Sequence, residues 1–180
     1  MGDKFHRWRA LGVYQLKMWI ARLALLAVGV AFEVAARLNR ALRDEISVWA
    51  EGFVFSLGVL PHGPSIAIKK TGRGVRCFGK GLPNPNVAIL FKNIDGALLV
   101  FLGRIGTPVA AAQRRFIVHG PIAESSQVAR TLAIVQSFLF PRIVVDKTYR
   151  RPPRLGASGL PIKAAIYLAL VPGLILRAVR

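Results

Sequence analysis

The spacing of apolar positions changes several times along this chain, and each change predicts an element. From Lys4 to Ser47 no proline or paired glycine interrupts the sequence, and Gly12 and Gly29 stand alone. At a helical 100° per residue, Lys4, Gln15, Arg22, Glu33, Arg37, Arg40 and Asp44 share one narrow stripe. Phe5, Val13, Leu16, Ile20, Leu23, Ala27, Val30, Val34, Leu38 and Leu42 fall on the opposite side. This amphipathic pattern predicts one long helix over residues 1–47, apolar all round between Leu23 and Phe32. A transmembrane span needs ~20 apolar residues, and Arg22 and Glu33 leave only ten uninterrupted. A secretory leader fits the basic start, but the helical pattern runs on through Glu33 and Arg37 to Arg43. The better reading is a helix lying on a membrane or over a domain's apolar face, with Trp8, Trp19, Ile20, Leu23 and Val30 as its membrane-contacting residues.

From Trp49 the pattern shortens. "WAEGFVFSLGVL" stops at Pro61, and "PHGP" is a turn. "SIAIKK", "GVRCFGK" and "NVAILFK" are β-branched or aromatic and are separated by "TGRG" and "GLPNPN", which predicts a small antiparallel meander. In "NIDGALLVFLGRIG", Asn93 or Asp95 can cap a helix whose body is the apolar run Ala97 to Leu102 and whose end is Gly103. "TPVAAAQ" makes a short helical turn, and "RRFIVHG" a strand stopped by Gly120-Pro121. "AESSQVARTLAIVQSFLF" places Val128, Leu132, Val135 and Leu139 on one helix face, ending at Pro141. "TYRRPPRLGASG" is a basic Pro/Gly linker. The apolar part of the closing segment, Ala164 to Leu176, is thirteen residues long, with a break expected at Pro172-Gly173. That is too short to span as a single helix. It could lie in the interface through Leu168 and Leu174, dip in and return, or plug a cavity.

Composition narrows the function. A chain of 180 residues fits one domain with terminal additions. It is 53% hydrophobic, yet 26 Lys and Arg face 8 Asp and Glu, for a net charge of +18. Phosphate contacts to nucleic acid need Lys and Arg and little grease. "TYRRPPR" could be a phosphate-binding arm, but the basic residues are spread along the chain and no base-reading motif is present, so nucleic acid is not favoured as a partner. A basic and greasy chain suits an anionic membrane surface, where each Lys or Arg contributes roughly 1 kcal/mol and apolar side chains insert.

Catalysis finds little support. Cys77 is the only cysteine, so no intrachain disulfide or thiolate zinc cluster can form, and its strand context suits a small buried hydrophobe. His6, His62 and His119 have no metal-ligand spacing. No G-x-S-x-G elbow, Walker loop or G-x-G-x-x-G occurs, and the scattered acids offer no acid/base pair. "TGRGVRCFGKG" could bind an anion but reads better as a hairpin turn with its strand. No catalytic residue, metal or cofactor is expected.

The pieces Val87 to Phe91, Ile94 to Gly103, Phe116 to Gly120 and Glu124 to Phe140 together resemble the sterol carrier protein type 2 family of lipid-binding domains. The likeness spans roughly Val48 to Phe140. The overall layout, with "QRR" at Gln113-Arg114-Arg115, is similar to bacterial accessory lipid-binding proteins of ubiquinone biosynthesis. Pro121 stands where that family often has an acidic residue, and the charge and the tail exceed those of the small carriers.

The resemblance implies an α+β fold: a small curved antiparallel or mixed sheet of about five strands, with helices on one face enclosing an apolar tunnel. To this are added the N-terminal amphipathic helix and the C-terminal apolar segment. The expected division is a membrane-associating helix over residues 1–47, a lipid-binding domain over 48–145, a linker over 146–159 and an apolar helix or anchor over 160–180. Tunnel-lining residues would be Ile89, Phe91, Ile94, Leu98, Leu99, Phe101, Leu102, Phe116, Val118, Leu132 and Val135. Headgroup contacts would fall to the basic residues at the ends of apolar elements, Lys92, Arg104, Arg114 and Arg115.

An apolar tunnel suffices to carry a lipid, because each buried CH₂ is worth about 0.8 kcal/mol. The implied function is non-enzymatic binding and transfer or presentation of a sterol or hopanoid, an isoprenoid quinone intermediate or an acyl lipid, by a cytoplasmic peripheral membrane protein. A membrane-bound scaffold for lipid- or quinone-biosynthesis enzymes is the alternative. Pairing of the terminal helices in a homodimer is compatible with either reading.

Overall fold

A computed structural model describes the backbone of residues 2–140 and 159–178, and the side chains of residues 12–140 and 161–170. The elements in chain order are α1 (Gly2–Leu38), α2 (Arg40–Ser47), β1 (Val54–Val59), β2 (Ser65–Thr71), β3 (Gly74–Phe78), β4 (Val87–Phe91), α3 (Ile94–Phe101), α4 (Thr107–Ala112), β5 (Phe116–His119), α5 (Ile122–Leu139) and α6 (Gly159–Ala178). The expected linker over 146–159 lies outside the described residues except for Gly159.

The five strands form one mixed sheet in the order β3-β2-β1-β4-β5. Of the meander expected from β2, β3 and β4, only β2 and β3 pair antiparallel, and β1 completes it on the other side of β2. β4 departs from it by pairing parallel to β1. Asn86 supplies the local reason. Its N–H donates to the Val54 carbonyl at 2.8 Å, and its side-chain oxygen accepts the Val54 N–H at 2.9 Å. The two strands therefore start side by side and run the same way. Register places Val75, Cys77, Ile66, Ile68, Phe55, Leu57, Val59, Val87, Ile89 and Phe91 on one face, and all are buried.

That inner face is occupied by α1, which packs on β2 and β3 and against α3, α5 and α6. Leu25, Leu26 and Phe32 of α1 are fully buried. The Phe32 ring centroid lies 5.4 Å from Phe55 and 6.4 Å from Trp49. Gly29 permits this approach, because a Cβ there would collide with the Cys77 sulfur. The side of α1 that meets the sheet coincides only in part with the stripe singled out by periodicity, through Val30 and Val34. Of that stripe, Val13, Leu16, Leu23 and Leu38 are exposed. Because α1 is apolar nearly all round in its middle, it covers the sheet with one side and keeps grease on the other. By length and composition alone, Gly12–Leu38 could cross a membrane, but half of its most apolar window is buried against this fold.

Two expectations about helix continuity are corrected. The helix expected over residues 1–47 breaks at Asn39, which leaves the α-region (φ −100°, ψ 119°) and caps α2 by accepting the Leu42 N–H at 2.8 Å. An asparagine side chain competes with the helical backbone in this way and starts a new helix instead. Conversely, α6 runs unbroken through Pro172-Gly173. An interior proline removes one backbone donor and crowds the carbonyl four residues before it, yet the helix continues through it. α6 is tied to the end of α5 by Lys163 Nζ, which donates to the Phe140 carbonyl at 2.9 Å, and by Tyr167 Oη, which donates to the Leu139 carbonyl at 2.8 Å. Those carbonyls at the C-terminal end of α5 lack intrahelical donors.

Candidate functional site

α3 carries the apolar run that implied a tunnel wall. Asn93 caps its start, accepting the Gly96 N–H at 2.7 Å. Its end is a Schellman turn: the Gly103 N–H reaches the Val100 carbonyl at 3.0 Å and the Arg104 N–H reaches the Leu99 carbonyl at 2.9 Å. Gly103 sits at φ 67°, a conformation that glycine adopts without Cβ strain. The helix is thus fixed at both ends, and its body presses into the molecule.

The residues expected to line a tunnel separate into three groups. Phe91, Ile94 and Leu98 pack in one cluster with Ala21 of α1 and with the partly buried Phe101 and Phe116. The Phe91 ring meets Phe101 and Phe116 edge-on, with centroids 5.0 and 5.5 Å away. Ile89, Leu132 and Val135 belong to a second, larger cluster with Leu25, Leu26 and Phe32 of α1. Leu102 and Val118 are exposed, and Leu99 is half-buried. Val118 shares a face with Ile89 by register, but it lies on the edge strand. α1 side chains therefore pack against several of these residues, between the sheet and the helices.

Among the described residues, two clefts beside α1 have volumes of about 460 Å³ and about 540 Å³, and α3 lines neither of these. The first lies between α1, the β1–β2 turn and the end of β3. The second lies between the α1–α2 junction and the β2–β3 hairpin. No sequence pattern singled them out, since Arg22, His62 and Lys80 of the first cleft come from distant segments.

Of the expected headgroup contacts, Lys92, Arg114 and Arg115 gather where β4 leaves the sheet. The Lys92 N–H donates to the Arg115 carbonyl at 3.0 Å, and Arg115 Nε donates to Gln113 Oε1 at 2.5 Å. Arg104 lies beyond the other end of α3. Of the expected membrane contacts, Trp19, Leu23 and Leu168 are exposed, Ile20 is half-buried and Val30 is buried. Val30 is therefore unavailable at this surface, because it faces the packed side of α1. The side chains of Trp8 and Leu174 lie outside the described residues.

Among the described residues no group of three His, Cys, Asp or Glu side chains is placed to hold a metal. Cys77 is buried, as its strand pattern suggested.

No family model and no curated protein sequence matches the chain. Its neighbours among solved structures are SCP2-domain proteins. One is a "UbiJ-SCP2 Ubiquinone synthesis protein", 14% identical, with a TM-score of 0.40 over 59% of this chain and 87% of that one. Another is TT1886 from Thermus thermophilus, described as possibly a sterol carrier protein, 22% identical, with a TM-score of 0.41 over 59% and 82%. A third is palmitated SCP2L2 from Aedes aegypti, 12% identical, with a TM-score of 0.37 over 56% and 91%.

Proposed function

We propose that this chain binds a water-insoluble lipid without converting it, and holds or hands it over at an anionic membrane surface. One observation carries the reading. α1 fills the apolar face of the sheet with Leu25, Leu26 and Phe32, while Leu16, Trp19 and Leu23 on its other side remain 60%, 54% and 41% exposed. An exposed ridge of this kind on a chain of net charge +18 finds its apolar partner in a bilayer.

α1 and a lipid tail compete for one surface. A sixteen-carbon chain would bring roughly 12 kcal/mol of gross burial at ~0.8 kcal/mol per CH₂, comparable in kind to what the buried side chains of α1 supply. Docking of the ridge in a bilayer lowers the cost of lifting α1, and the bared residues Phe55, Leu57, Ile66 and Phe91 then receive the tail. Sterols or hopanoids, isoprenoid quinone precursors and acyl lipids all satisfy this chemistry. The same ridge also favours a resident holder of lipid over a freely diffusing shuttle, because it anchors the protein where it unloads.

The test is native mass spectrometry, with lipid extraction, of protein purified from its own host. A co-purified lipid near a one-to-one ratio is expected. Lipid-free protein that also takes up no fluorescent acyl or isoprenoid probe from vesicles would overturn the proposal. Retention on membranes after a high-salt wash separates the holder from the shuttle.

A further inference from the structure

The geometry points to a specific headgroup site: the cleft between α1 and the β1–β2 turn receives the anionic headgroup of a bilayer lipid whose chains lie along the exposed ridge of α1. This rests on the membrane reading above and names where the membrane is met.

The cleft has a volume of about 460 Å³, room for a phosphate-bearing headgroup. Arg22 enters from α1, His62 from the turn after β1 and Lys80 from the loop after β3. No Asp or Glu lines it. Among the described residues, the ion pairs are Lys17–Asp95, Arg40–Asp44 and Arg130–Glu45, so neither Arg22 nor Lys80 has a carboxylate partner. Glu33, farther along α1, turns its carboxylate onto the N–H of Cys77. Convergent cations left without a counter-ion are a site for an anion.

Trp19 joins this charge to grease. It lines the cleft, and the Arg22 guanidinium stands 5.9 Å from its ring centroid. It also belongs to the exposed ridge with Leu16 and Leu23, at helical spacings of three and four residues. A free phosphate would use the cations and leave the ridge bare, whereas a bilayer lipid uses both. A tryptophan between headgroup and acyl layers is placed where its amphipathic ring is stable.

The experiment uses the full chain and sedimentation with vesicles of phosphatidylcholine, alone or with about one-third phosphatidylglycerol, at physiological salt. Arg22→Gln with Lys80→Gln is expected to weaken partition to the anionic vesicles roughly 30-fold, as two headgroup-level cations imply. Lys69→Gln with Arg76→Gln removes the same charge from the outer face of the sheet, and less than about threefold loss is expected there. The charge-preserving Arg22→Lys with Lys80→Arg should keep binding. Equal losses from the two glutamine pairs would overturn the cleft in favour of bulk charge. Displacement from vesicles by millimolar inorganic phosphate at constant ionic strength would overturn the lipid as occupant. If the natural chain ignores both vesicle types, the membrane reading itself fails. If it binds anionic vesicles and Arg22→Gln with Lys80→Gln binds as well, only the cleft fails.

Discussion

The Glu33 carboxylate accepts the backbone N–H of Cys77 at 2.6 Å, across 44 positions of sequence. Cys77 lies on β3, one of the two edge strands of the sheet, where some backbone donors point away from any neighbouring strand. A charged residue in the apolar middle of α1 thus has a structural role, closing the open edge of the sheet and fixing where α1 lies along it.

Glu33→Ala leaves that partly buried N–H without its acceptor and should lower unfolding free energy by about 1–3 kcal/mol. Glu33→Gln keeps an acceptor oxygen and should cost less. Urea unfolding of the three chains checks this, and equal stability of Glu33→Ala and the natural chain would refute the assignment.

Helix and sheet approach closely at Gly29 and Cys77, where a Cβ on the helix would meet the Cys77 sulfur. Gly29→Ala improves helix propensity by up to ~1 kcal/mol, but its methyl group must displace the Cys77 sulfur. A net loss of about 1–3 kcal/mol is expected. Cys77→Ala should restore part of it, giving a coupling energy of at least ~0.5 kcal/mol in a double-mutant cycle. Additive effects would show that α1 does not rest on β3 at this point.

Lys70 is buried and donates through Nζ to the Ser47 carbonyl at 3.2 Å and to the Trp49 carbonyl. It thereby binds the C-terminal end of α2 to β2. Lys70→Met keeps the volume but leaves both carbonyls short of a donor, and about 2 kcal/mol of stability should be lost. Hydrogen exchange should show faster opening of α2 than of β1 in this variant.

Leu16→Glu with Leu23→Glu touches only the exposed ridge. Thermal unfolding should shift little, while sedimentation with anionic vesicles should fall at least roughly tenfold, because apolar insertion is lost and negative charge is added. Unchanged sedimentation would leave the ridge without a role. These substitutions are preferable to deleting residues 1–43, since Leu25, Leu26 and Phe32 within that stretch complete the core.

Much of the architecture was legible in the sequence because it is local. The period of two in β2 and β3, the cap at Asn93, the stop at Gly103 and the spacing of Val128, Leu132 and Val135 all act within a few residues. The break at Asn39 was missed because one asparagine, although a favoured cap, does not override an apolar spacing that continues at helical period on both sides of it. The continuity of α6 was missed because Pro172-Gly173 ordinarily reads as a stop.

The sequence by itself determined the order of elements, the excess of positive charge and the amount of grease, since propensity, capping and composition need no distant partner. Only the tertiary structure decided which side of α1 is buried, that β4 runs parallel to β1, that α1 lies over the inner face of the sheet, and that Arg22, His62 and Lys80 meet around one cleft. A helix apolar on every side has no intrinsic inner face. Gly29, Glu33 and the surface of β3 supply one, through contacts between residues that are neighbours in space and far apart in the chain.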